Sequence, residues 1–110
     1  MTELDLQGRA FTPLAARGRV YAASRAVRGT DVTPAGRLRF DALVRFMQQA
    51  AEDDLSDGGW AEPCHWFVRR VAVAVRGYPA YGERLQLCTF CSGTGPRRAE
   101  RTTTVTGPPR

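Results

Sequence analysis

One stretch, residues 37–57, constrains this chain more than any other, because it carries the only long helical pattern in the sequence. Counted from Phe40, the apolar residues Leu43, Val44, Met47, Ala50, Ala51 and Leu55 fall at +3, +4, +7, +10, +11 and +15. That spacing follows the helical period of about 3.6 and forms one stripe. Asp41, Arg45, Gln48, Gln49, Glu52 and Asp53 lie off it. Gly36 precedes the pattern, and Gly58-Gly59 closes it where a left-handed C-cap favours glycine. A lone helix cannot bury such a stripe, so the flanking segments must supply a wall.

Those segments read as strands. Residues 19–28 contain the β-formers Val20 and Tyr21, diluted by alanine. Residues 65–76 read as the best strand in the chain, apolar on parts of both faces and therefore central. Residues 83–92 alternate, with Leu85, Leu87, Thr89 and Cys91 on one face and Gln86, Cys88 and Phe90 on the other. Residues 98–105 carry three threonines and read as a further strand. The expected order is strand, helix, then a meander of three strands. This is an α+β domain with an antiparallel sheet on one central helix. The divisions are a loose leader at 1–17, one domain at 18–107 and a tail at 108–110.

The whole chain has 110 residues, enough for one small domain. No apolar run approaches the roughly 18–20 residues of a membrane span. The first ten residues carry acids where a secretory signal carries bases, and no apolar core follows them. The expected location is cytoplasmic, with no membrane partner. Sixteen arginines and no lysine against eleven acids leave a net charge of +5. A basic surface favours acidic partners, but these arginines are scattered rather than blocked. The aromatic residues are too dispersed to form a stacking platform, which disfavours nucleic acid.

Cys88 and Cys91 form a C-x-x-C, and with Cys64 and His65 could compose a Cys₃His zinc set. The pair lies inside a strand pattern, however, where residues three apart face opposite ways. The favoured reading is no metal and no cofactor. Three cysteines also make an odd number, against a disulfide framework. Glu52, Asp53, Asp54 and Asp57 crowd the C-terminal end of the helix pattern, where the dipole disfavours acids. Such a broken rule can mark a site, and a carboxylate there could serve as a general base. The favoured reading is a solvated end, or pairing with Arg69 and Arg70. His65, the sole histidine, reads as structural in the absence of a visible partner. No nucleophile elbow, P-loop or dinucleotide fingerprint is present.

Several pieces in order resemble a known family. They are Asp31, Gly36 and Leu38 ahead of the helix, the helix from Leu43 to Ala50, and Trp66-Phe67-Val68-Arg69-Arg70. Tyr78-Pro79, Gly82-Glu83, Thr89-Phe90-Cys91-Ser92-Gly93 and Ala99-Glu100-Arg101 follow. Across residues 19–107 the chain resembles the N-terminal half of bacterial fatty acyl-ACP thioesterases, which are similar to the plant enzymes.

The resemblance implies a hotdog fold, an antiparallel sheet wrapped around one helix, here without its last strand. It implies fatty acid biosynthesis and thioester hydrolysis in the complete enzyme, with acyl carrier protein bearing a fatty acyl chain as partner. The family's catalytic positions lie in a second half, so this chain resembles a truncated member that is weak or inactive alone. The acyl-binding candidates are Phe40, Leu43, Val44, Met47, Phe67 and Val71. Asp53, Asp54, Asp57 and His65 are the only catalytic candidates, reached through a partner chain. A lone hotdog needs a homodimer or a second hotdog domain. The alternatives are a non-catalytic hotdog binding or assembly module and, less favoured, a small zinc- or nucleic-acid-binding domain.

Overall fold

The computed structural model describes residues 18–59, 70–96 and 98–108. Its elements are strand β1 (Tyr21–Ala26), a short 3-10 helix (Gly29–Asp31), helix α1 (Phe40–Asp57), strand β2 (Arg84–Gly95) and strand β3 (Arg98–Thr106). The three strands form an antiparallel sheet in the order β1-β2-β3, so β2 is central. The helix packs on one face of that sheet. The expected α+β class, one helix against an antiparallel sheet, is what the protein adopts.

The alternation expected in β2 sets which residues point at the helix. Leu85, Leu87 and Thr89 are buried and pair across the sheet with Arg25, Ala23 and Tyr21 of β1. Val105 and Thr103 stand opposite Leu87 and Thr89 from the β3 side. Phe90 is also buried, though it lies on the other face of β2 and outside the main core cluster. An extra residue, Ser92, bulges where the register shifts between Cys91 and Gly93. Thr102 Oγ1 donates to the Ser92 hydroxyl at 2.8 Å and fastens that bulge to β3.

The helix begins at Phe40, three residues later than the sequence pattern predicts. Residues 37–39 are held instead by the loops. Arg37 bridges Ala80, and Leu38 bridges Val32. The Leu38 N–H donates to the Pro79 carbonyl at 2.8 Å, and the Tyr81 N–H to the Gly36 carbonyl at 2.9 Å. Gly36 has φ +81, the left-handed value that closes the turn begun at Thr33. At the far end, Gly58 is still right-handed and Gly59 (φ +79) takes the left-handed cap.

The buried face of α1 is rotated from the expected stripe. Ala42, Leu43, Phe46, Ala50 and Asp54 are buried. Phe46, absent from the expected stripe, is only 4% exposed, whereas Phe40 is 51% exposed. Phe46, with Leu38, Val27, Leu85 and Leu87, belongs to the core cluster, and Met47 and Val73 pack against it. Phe46 faces the sheet, and Val44, about 200° away around the helix, stays half-buried. The predicted strand at residues 65–76 is also corrected in part: residues 70–76 show no strand pairing, and residues 65–69 lie outside the described region.

Candidate functional site

The acids at the end of α1 are gathered by Arg19, Arg25 and Arg101, from the segment before β1, from β1 and from β3. Arg69 lies outside the described residues. Asp54 is the centre of the arrangement, 3% exposed in the last turns of the helix. Its Oδ1 accepts from Arg19 Nε at 2.7 Å, and its Oδ2 accepts from Arg101 Nη1 at 2.7 Å. Arg19 Nη2 also donates to the Asp54 carbonyl at 3.1 Å and to Asp57 Oδ2 at 2.8 Å. Asp53, half-buried, accepts from Arg25 Nη2 at 2.9 Å. Asp53, Asp54 and Asp57 each therefore have a guanidinium on them, while Glu52 is exposed.

Strand geometry puts the arginines there. Arg101 stands opposite Cys91, on the helix-facing side of β3 with Thr103 and Val105. Its Nη1 lies 3.3 Å from the Thr89 hydroxyl, which is 2.8 Å from the hydroxyl of Thr103. A buried carboxylate needs this kind of pairing, since an unpaired one would cost several kcal/mol. The Arg19 guanidinium is held above its ordinary pKa, first by its hydrogen bond to Asp57 and then by that to Asp54. The pattern explains how Asp53, Asp54 and Asp57 are tolerated at the dipole's negative end.

The same geometry bears on catalysis. A general base needs a lone pair within reach of a substrate proton. Both Asp54 oxygens are taken, and Asp57 and Asp53 each hold an arginine. His65, the remaining catalytic candidate, lies outside the described residues. So does Cys64, which leaves the Cys₃His combination outside them as well. Cys88 and Cys91 fall on opposite faces of β2, the first half-buried and the second exposed. Among the described residues no group of three or more His, Cys, Asp or Glu side chains could hold a metal.

The apolar candidates divide. Leu43 is core, Val44 and Met47 are half-buried, and Phe40 and Val71 are exposed at 51% and 44%. Phe67 lies outside the described residues. Phe40, Val44, Met47, Ala51 and Leu55 form a second apolar stripe beside the buried one, at helical spacing. At the N-terminal end of this stripe an open depression of about 560 Å³ is lined by Leu38, Phe40 and Tyr78, with Arg37 and Arg39 at its polar side.

The sequence gives no functional role to Arg19 or Arg25, and Arg101 enters only within the Ala99-Glu100-Arg101 piece of the resemblance. A signal for one of them exists: Arg101 shares the period-2 face of Thr103 and Val105, and an arginine at an inward strand position demands a buried acid. No helix among the described residues is long and apolar enough to cross a membrane. A comparison with known protein families finds no matching family model, and a comparison with curated proteins finds no match.

Proposed function

We propose that the chain is a hotdog-like module that binds a fatty acyl group, of the kind found in the N-terminal half of acyl-ACP thioesterases. The observation that carries this is the second apolar stripe of α1. Phe40, Val44, Met47, Ala51 and Leu55 stay partly exposed beside a helix face already filled by the sheet. A flexible alkyl chain along that stripe would bury apolar area at about 25 cal/mol per Å². The helix-on-sheet arrangement and the ordered resemblance across residues 19–107 support the same reading. The partner would be an acyl carrier protein, whose acidic surface suits a chain of net charge +5.

Hydrolysis is not assigned to this chain alone, because the acids at the end of α1 serve its arginines. The test is titration of the purified protein with a dansyl-labelled fatty acid. Saturable binding that Phe40→Asp weakens at least tenfold, with an unchanged denaturation midpoint, supports the reading. No saturable binding by folded protein, or binding indifferent to Phe40→Asp, overturns it.

A further inference from the structure

A second depression, of about 410 Å³, opens beside β1, the segment that follows it, Arg84 at the start of β2, and Arg45, Phe46 and Gln49 of α1. Its walls include Arg25, Arg28, Arg45 and Arg84, with Thr30 and Gln49 between them. Four arginines thus border one concavity although like charges repel.

Two of them are anchored. Asp31, itself buried, pairs with Arg45 through Oδ1 and accepts the Arg28 backbone N–H at 3.0 Å through Oδ2. Arg25 is held by Asp53 at 2.9 Å. Arg28 and Arg84 have no carboxylate partner among the described residues; Arg84 Nη1 donates only to the Ser24 hydroxyl, at 3.0 Å. The depression therefore keeps a positive excess, with Asp31's oxygens both consumed and aimed at their own partners.

We propose that this depression binds the phosphate group of a small phosphorylated ligand. Arginine presents a planar fork of N–H donors that fits a phosphate two oxygens at a time. Arg45 is pre-set by Asp31 and Arg25 by Asp53, so less freedom is lost when the anion arrives. Arg28 and Arg84 close on it from the exposed side. The volume lies within the range of small-molecule sites and admits a phosphate with its substituent. A concave site of this volume suits a small ligand better than a macromolecule. This site is separate from the apolar stripe and does not depend on the acyl reading.

The experiment follows the arginine Nε–Hε resonances of the ¹⁵N-labelled full chain during titration with inorganic pyrophosphate and, separately, AMP. The expected result is saturating shifts of Arg28 and Arg84 with one ligand bound per chain. An Arg28→Ala, Arg84→Ala double variant should weaken affinity at least about tenfold, as loss of two charge-assisted donors implies. Both side chains are exposed, so the denaturation midpoint should stay put. Arg84→Gln alone should weaken binding by a smaller factor, and Arg37→Ala, which is not among the residues lining this depression, should not weaken it. Saturation by pyrophosphate alone assigns an inorganic anion, and saturation by both assigns an organic phosphate; either supports the proposal. Shifts that never saturate, or an equal loss in Arg37→Ala, would show unspecific charge attraction and overturn it. Binding of a DNA duplex but of neither probe would overturn it in favour of a nucleic-acid surface.

Discussion

Arg101 Nη1 of the edge strand β3 donates to Asp54 Oδ2 of α1 at 2.7 Å, across 47 positions of sequence. Arg19 reaches the same carboxylate from the segment before β1. One buried acid thus ties the helix end to both sides of the sheet. Such a pair is costly to break, because removing one member leaves a charge stranded in the interior.

Asp54→Asn keeps the shape of the side chain and removes its charge. The expected cost is about 3 kcal/mol, read from urea unfolding. Arg101→Ala should cost about 2 kcal/mol, with a coupling to Asp54 of about 1 kcal/mol or more in a double-mutant cycle. A change under about 0.5 kcal/mol for Asp54→Asn would place the carboxylate in water instead.

The Arg19 contribution has a defined pH window. A base whose pKa is raised on folding contributes stability that is complete below its unfolded value and lost as pH rises through the folded one. For Arg19, raised by Asp57 and Asp54, that loss begins only above about pH 12. The midpoint difference between the native chain and Arg19→Gln should therefore be the same at about pH 6 and about pH 9. A difference that shrinks between those two values would contradict this assignment.

The helix face offers a sharper comparison. Phe46 is 4% exposed and Phe40 is 51% exposed. Phe46→Ala should cost about 3–4 kcal/mol, and Phe40→Ala less than about 1 kcal/mol. Equal costs would mean that the helix presents its expected stripe to the sheet after all.

These residues also mark where sequence reading succeeds and where it stops. The helix, its glycine cap and the alternation of Leu85, Leu87 and Thr89 are local patterns, so they could be read directly. The rotation of the helix could not. Phe46 and Met47 are neighbours of similar size, and only the sheet decides which of them is buried. In the sequence Asp54 belongs to an acid cluster that reads as a solvated end or as paired with Arg69 and Arg70. Its burial depends on Arg101 and Arg19, which no window of local sequence contains. The 70–76 run has β-formers in good alternation but no strand pairing, since pairing belongs to two segments and propensity to one.

The sheet makes a prediction about association. Among the described residues β1 and β3 each pair on one side only, so both present an open edge. Open edges recruit further strands, and a tandem hotdog would supply them within one chain. We expect a homodimer or larger species in sedimentation equilibrium. A monomer over a hundredfold concentration range would count against both the open edge and the hotdog proposal.

Activity is the last expectation, and it follows from the chemistry of the helix end. Thioester hydrolysis needs an activated nucleophile and donors aimed at the developing oxyanion. The carboxylates of Asp53, Asp54 and Asp57 are each occupied by guanidinium. A substrate proton would have to compete with contacts of 2.7 to 2.9 Å. The purified chain should therefore turn over acyl-ACP far below the usual enzyme range of about 1 per second or more. Turnover in that range, with a folded Asp54→Asn variant inactive, would mean that a partner chain strips Arg19 or Arg101 from the acid. In that event Asp57→Asn is the informative control. Asp57 is exposed and among the described residues pairs with Arg19, so its loss should leave a reaction at Asp54 intact while a reaction at Asp57 disappears.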